Sequence, residues 1–119
     1  YQAVAYGRMF EGDLEANRKA AIEDLDAAID AGIRDGRAYW ARHQLLLMQG
    51  DRGAAEKDLR EAIAIDPLNA AYRFAMGNLL ARGRKAADAA EAAPFYGLAV
   101  ALAPDNDSYR RRYEEFMGN

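Results

Sequence analysis

Apolar residues recur along this chain every three to four positions, the spacing that gives an α-helix one buried face. From Leu14 to Ile29 the residues Leu14, Ala21, Ile22, Leu25, Ala28 and Ile29 keep this rhythm. Arg18, Lys19, Glu23, Asp24 and Asp26 fill much of the remainder. The pattern predicts an amphipathic helix ending near Ala31, with Gly32 as its C-terminal cap. Upstream, Val4, Tyr6, Met9 and Phe10 suit a short helix of their own. Glu11-Gly12-Asp13 reads as a turn, with Asp13 capping the helix that follows.

The stretch Arg37–Asn69 repeats this plan more fully. Tyr39, Trp40, Leu45, Leu46, Leu47 and Met48 predict a helix that is apolar on more than one face. Such a helix is either buried between two neighbours or leaves surface for a partner. Gly50-Asp51 turns the chain, and Ala54, Ala55, Leu59, Ala62, Ile63 and Ile65 build a second helix. Glu56, Lys57, Asp58, Arg60 and Glu61 are expected largely in solvent, and Pro67 sets the stop.

Asn69 is a natural cap for a third pair. Tyr72, Phe74, Ala75, Met76, Leu79 and Leu80 form its first helix, Arg82-Gly83-Arg84 its turn, and the alanine-rich run Ala86–Leu102 its second helix. Pro94 lies inside that run, where it removes a backbone donor and costs about 3 kcal/mol in an ordinary helix interior. A kink or break at Ala93-Pro94 is expected, with Pro94 in the first turn of a fresh helix. A last segment, Ser108–Met117, places Tyr109, Tyr113, Phe116 and Met117 on neighbouring turns, with Asp107 or Ser108 as cap.

The series has a period. Tyr39 and Tyr72 stand 33 residues apart, as do Leu46 and Leu79, and Gly50 and Gly83, while Leu25–Leu59 and Ala28–Ala62 stand 34 apart. A period in the low thirties made of two helices is the mark of a solenoid, because one hairpin cannot bury its own apolar faces and neighbours must stack.

Composition agrees with an all-α chain. Alanine is abundant, threonine is absent, and there are three prolines in 119 residues. With no cysteine, disulfides, thiolate metal sites and a cysteine nucleophile are excluded. A net charge of −3 lacks the basic excess of nucleic-acid modules. The longest apolar stretches fall far short of a bilayer span. No leader-type segment is visible, but a chain that opens at Tyr1 leaves processing and compartment undetermined, with the cytoplasm slightly favoured.

Catalytic chemistry finds little footing. His43 is the sole histidine and Ser108 the sole serine, far apart in sequence, so a Ser–His pair has no local support. The ordinary reading of His43 is a hydrogen-bonded side chain at a helix crossing. Asp24/Asp26 and Glu114/Glu115 lie on charged faces without a converging second shell. Arg82-Gly83-Arg84 has a single glycine and is no phosphate loop. One imidazole and no thiol argue against a metal site, and no cofactor is implied.

The chain resembles the tetratricopeptide-repeat family. The best-formed repeat supplies Tyr39, Leu46, Gly50, Asp51, Ala55, Leu59, Ala62 and Pro67. The next supplies Tyr72, Met76-Gly77, Leu80, Gly83, Tyr96, Ala99 and Pro104. The first is degraded to Gly12, Asp13, Leu25 and Ala28. The resemblance implies a single domain: a short right-handed α-solenoid of about three helix pairs, near residues 1–35, 36–68 and 69–104, with a capping helix at 107–117. Arg42-His43 occupies the place of an apolar-plus-small pair, which implies a looser or tilted crossing. The first and third repeats carry extra residues after the turn, which implies longer or broken second helices.

The same resemblance implies a non-catalytic scaffold whose first helices line a groove for a protein or peptide. The groove positions would be Arg37, Trp40, Gln44 and Leu47 or Met48, then Arg73 or Phe74, Asn78 and Arg82, then Ser108, Arg111 and Glu115. The third repeat's register is ambiguous by one residue. Trp40 is either core or a groove anchor, and as an anchor its truncation would weaken partner capture while helicity stays. Asn78 has no evident helical reason and equally suits an exposed position. Arg82, Arg84 and Arg110 to Arg112 suit a partner that is acidic or has a free C-terminus, or they form a solvated face. The lysine-bearing clamp that some members use for chaperone tails cannot be placed, because Trp40 and Arg73 or Phe74 take the nearest positions. The alternative is homo-oligomerisation or assembly, through Val4, Tyr6, Met9 and Phe10 or through the terminal helix.

Overall fold

A computed structural model describes the backbone of residues 2–83 and 86–118, and side chains within 14–83 and 87–118. It is all-α: α1 Gln2–Asp30, α2 Gly36–Met48, α3 Arg52–Ile65, α4 Ala70–Ala81, α5 Ala86–Leu102 and α6 Asp107–Gly118. Helices α2–α3 and α4–α5 form antiparallel hairpins, α1 packs on α2, and α6 covers α5. The result is the expected solenoid-like stack with a capping helix. Its radius of gyration, 16.6 Å, exceeds the roughly 13–14 Å of a compact chain this long.

Short polar residues start the helices. Asp35 accepts the Arg37 amide at 2.9 Å, and Asp51 accepts that of Ala54 at 3.3 Å. Asn69 accepts the Tyr72 amide at 3.1 Å, and Asn106 that of Tyr109 at 3.0 Å. Each carboxylate or amide oxygen satisfies a donor that the first helical turn leaves unpaired. Glycines close α1 and α2. Gly32 and Gly50 adopt φ of 92° and 84°, the left-handed region that an L side chain rarely enters. At each end two amides turn back, Gly32 to Ile29 and Ile33 to Ala28, then Gly50 to Leu47 and Asp51 to Leu46. That pairing is the Schellman closure.

The core lies where the two hairpins meet. Leu59 and Ala62 of α3, Tyr72, Met76, Leu79 and Leu80 of α4, and Ala92 and Tyr96 of α5 form one buried cluster. Gly77 lets α4 and α5 approach closely, since a Cβ there would stand 2.7 Å from the Tyr96 ring.

Four local expectations are corrected. Glu11-Gly12-Asp13 is not a turn, because α1 runs through it without interruption; helical hydrogen bonding continues past one glycine at a cost of about 1 kcal/mol. Pro94 neither breaks α5 nor starts a new helix: it lies exposed within a single 17-residue element. Asn106, not Asp107 or Ser108, caps α6. Asp58 is not in solvent but 5% exposed, because it answers a charge described below. Val4, Tyr6, Met9 and Phe10, and the turn residue Arg84, lie outside the described side chains.

Candidate functional site

The first helices α2, α4 and α6 are joined edge to edge by aromatic side chains. Trp40 of α2 stacks on Tyr72 of α4, with centroids 5.0 Å apart, and on its own neighbour His43 at 5.3 Å. Phe74 of α4 stacks on Tyr109 of α6 at 4.3 Å and tilts against Tyr96 at 5.6 Å. Offset aromatic pairs contribute about 0.5–1.5 kcal/mol beyond the area they bury. Here they set the order and spacing of the helices.

The caps give the three helices a common register. Five residues after Asp35, Asn69 and Asn106 stand Trp40, Phe74 and Arg111. Nine residues after them stand Gln44, Asn78 and Glu115, and two after them Arg37, Ala71 and Ser108. Thirteen after the first two caps stand Met48 and Arg82. Since residues four apart share a helix face, these positions hold equivalent places on α2, α4 and α6.

The register separates Phe74 from Arg73. Arg73 turns back to the chain, donating from Nε to the Pro67 carbonyl at 3.0 Å, with its guanidinium over the Phe95 ring of α5. Arg110 repeats this at the next turn, donating to the Pro104 carbonyl at 3.2 Å. Phe74, rather than Arg73, holds the place equivalent to Trp40.

The other sequence-derived residues fall as follows. Arg37 is exposed and bound to its own cap, with Nη2 at 2.9 Å from Asp35; that contact holds the Asp35 carboxyl below its usual range and raises the guanidinium. Gln44, Arg82 and Arg111 are exposed. Asn78 is half-buried and serves the fold. Its Oδ1 accepts from the Tyr96 hydroxyl at 2.7 Å and from Arg112 Nε at 3.4 Å, tying α4 to α5 and α6. Trp40 is half-buried against the core, in the place equivalent to Phe74. Leu47 and Met48, at the end of α2, are 40% and 66% exposed.

The Arg42-His43 crossing is filled by polar groups. The Arg42 guanidinium reaches both Asp58 oxygens, Nε and Nη2 each at 2.7 Å, and Asp26 of α1 at 2.8 Å. Its pKa is raised chiefly by the Asp58 hydrogen bonds, then by Asp26. His43, 2% exposed, faces the Ala55 carbonyl at 2.9 Å through Nδ1. A carbonyl only accepts, so Nδ1 carries the proton. Burial depresses the imidazole pKa, against the pull of the Ala55 hydrogen bond.

The roles of Asp58 and Asp26 are not evident from helical periodicity, yet their signal is in the sequence. Arg42 and Asp58 stand eight residues either side of the Gly50 turn, and Asp26 and Arg42 eight either side of Arg34. In an antiparallel hairpin such residues meet. A second feature that periodicity does not reveal is an open hollow of about 670 Å³ between the α1–α2 and α3–α4 turns, lined by Asp35, Arg37, Ile65, Asp66, Leu68 and Tyr72 among others. Burial raises the Tyr72 phenol pKa there, with Asp66 and Asp35 nearby.

Neither a family model nor a curated protein matches the sequence of this chain. Solved structures do match its fold. SycD, the type III secretion translocator chaperone of Yersinia enterocolitica, superposes with a TM-score of 0.67 at 15% identity, over 93% of this chain and 74% of that one. SycD in complex with a peptide of the translocator YopD gives 0.67 at 14% identity, over 98% and 88%. MamA gives 0.63 at 16% identity, over 94% and 72%. At these identities the likeness is one of fold, an all-α stack of helical hairpins. Among the described residues no group of three or more His, Cys, Asp or Glu side chains is placed to hold a metal, and no described helix is long and apolar enough to cross a membrane.

Proposed function

We propose that the protein is a non-catalytic scaffold that seats an extended peptide or a partner helix along the row α2–α4–α6. The observation that carries this reading is the common register. Trp40 and Phe74, then Gln44 and Asn78, then Met48 and Arg82 occupy matching rungs on helices locked by aromatic stacking. A rigid, preformed face lowers the ordering cost of binding, and side chains at fixed intervals give the occupant a register. The exposed Leu47 and Met48 supply apolar surface at the C-terminal end of α2, on the same helix as the half-buried Trp40. SycD, whose fold this chain shares, has been solved in complex with a peptide of YopD. The same kind of occupant suits this row.

Selection from a randomised twelve-residue display library tests the reading. Peptides captured by the wild-type protein should compete with one another and bind Met48→Asp at least tenfold more weakly. Trp40→Ala should lose them too, but with some loss of stability, since its ring stacks on Tyr72. Captured peptides that bind both variants as well as the wild type would remove the row as the site.

A further inference from the structure

The α1–α2 and α3–α4 turns face each other across the open hollow of about 670 Å³ at the N-terminal ends of α2 and α4. Gly36 lets its walls close in. A Cβ there would collide with Asp66 Oδ2 and stand 3.4 Å from Tyr72 Cε2, so the carboxylate and the phenol ring lie against the same residue. Three charged side chains line the hollow, and two of them answer each other. Asp35 gives both oxygens to Arg37, Oδ1 at 3.2 Å from Nε and Oδ2 at 2.9 Å from Nη2. Asp66 is exposed and has no ion pair among the described residues. Arg73 is turned to the Pro67 carbonyl and the Phe95 ring and does not line the hollow. One negative charge there is left unanswered.

The second observation is Tyr72. The residue is 4% exposed, and a polar group held this deep ordinarily has a partner. Its hydroxyl takes part in no hydrogen bond among the described residues. No fully buried polar side-chain atom among them lacks a partner, so this oxygen opens into the hollow that Tyr72 lines. Besides burial, the groups that bear on its ionisation are Asp66, Asp35 and Arg37, all three on the walls of that hollow.

We infer that the hollow receives the side chain of a lysine from a partner protein, its ammonium between Asp66 and the Tyr72 hydroxyl and its stem along Ile65 and Leu68. Both oxygens accept, and an ammonium only donates. A guanidinium matches the two coplanar oxygens of one carboxylate, which is the use Arg37 makes of Asp35. An ammonium carries three donors on a compact head and suits two acceptors from different residues. The lysine stem is apolar, and Leu68, 77% exposed, offers it a wall. The space is far larger than a bare ion, and Arg37 beside Asp35 opposes a divalent metal. The site lies at the turn edge of the stack and does not depend on the row.

Nuclear magnetic resonance on the whole chain tests it, with Nα-acetyl-lysine amide as the probe at low salt. Titration into the millimolar range should shift the amides of Gly36, Asp66 and Tyr72 saturably. Acetylating the ε-amine of the probe should weaken binding about tenfold, because the charge and two of the donors go. Nα-acetyl-arginine amide should also bind more weakly. Asp66→Asn, at an exposed position, should weaken binding about tenfold. Tyr72→Phe, which keeps the ring on Trp40, should weaken it severalfold, and Arg37→Gln, which frees Asp35, should tighten it. The inference is overturned by the absence of saturable shifts at these amides, by an equal response to the acetylated or the arginine probe, or by an undiminished response in Asp66→Asn or Tyr72→Phe. Loss of the response in Arg37→Gln would overturn it too, by making the hollow a site for anions. The row is judged separately, by its own library and Met48→Asp.

Discussion

Removing the Asp58 carboxylate would leave the Arg42 guanidinium wedged between α1, α2 and α3, with Asp26 as its remaining carboxylate partner. Asp58 holds two of its three short hydrogen bonds and is nearly inaccessible to water. Breaking a buried pair from one side costs about 3–5 kcal/mol, chiefly through the charge left behind. Arg42 keeps some solvent, with a side chain 19% exposed, so Asp58→Ala should fall near the lower bound, about 3 kcal/mol. Arg42→Met/Asp58→Leu should be much closer to neutral. Urea melts of the two single variants and the double variant give the coupling. Additive single effects would refute a tightly coupled pair. The neighbouring imidazole makes a pH prediction with a definite sign. Burial lowers the His43 pKa below its usual 6.5, so the unfolded chain takes up a proton that the folded chain resists. His43 therefore contributes stability that is complete above about pH 6.5 and is lost as pH falls toward the lowered folded value. His43 is the sole histidine, so its imidazole proton resonance can be followed directly. A midpoint at or above 6.5, or a denaturation midpoint unchanged between pH 7 and 5, would contradict this.

Helical elements are largely legible from spacing, and the misses have particular causes. The hairpins α2–α3 and α4–α5 show themselves through Gly50, Gly83 and the matching alanines, because a tight crossing demands small residues at fixed places. Gly12 looks the same in sequence yet lies within α1. Glycine permits a turn without requiring one. Pro94 misleads in the opposite direction: a solvent-facing proline in the middle of α5 orphans the carbonyl of Ala90, itself an exposed residue, where the cost is lowest. The exposure of Gln44, Leu47 and Met48 on α2 fits the periodicity, but the role of Asn78 is not readable from it, because its partners Tyr96 and Arg112 come from helices α5 and α6. Two glycines inside helices should respond to alanine with opposite signs. Gly77→Ala would drive a methyl to 2.7 Å from the Tyr96 ring, and overpacking of this kind costs about 1–3 kcal/mol. Gly53 has nothing within 4 Å of the added carbon. Alanine there should recover up to about 1 kcal/mol of helix propensity. Thermal melts of both variants decide the matter, and a stabilised Gly77→Ala would deny the close α4–α5 crossing.

At the scale of the whole molecule, each helix touches its neighbours in chain order, and stability is then close to a sum of local terms and nearest-neighbour interfaces. The two ends are held by different chemistry. Helix α1 is tied through Asp26, which reaches Arg42 at 2.8 Å from a half-exposed position. Helix α6 is tied through aromatic contacts, Phe74 on Tyr109 and Tyr96 on Phe116 at 5.2 Å. Local opening should therefore be separable. Asp26→Asn should speed amide exchange in the described part of α1, residues 14–30, and leave α4 to α6 unchanged; raising salt should reproduce part of the effect, since the ion pair is open to solvent. Phe74→Leu should speed exchange in α6 and leave α1 unchanged, with little salt dependence. Asp58→Ala, acting at the crossing shared by α1, α2 and α3, should accelerate both α1 and the first hairpin. Hydrogen-exchange mass spectrometry on the three variants distinguishes this from a single cooperative unit, in which every variant would accelerate all six helices together. The distinction bears on binding, because the proposed row spans α2 to α6. An occupant bridging Trp40 and Arg111 would protect α6 in the wild type, and that protection should survive Asp26→Asn but not Phe74→Leu.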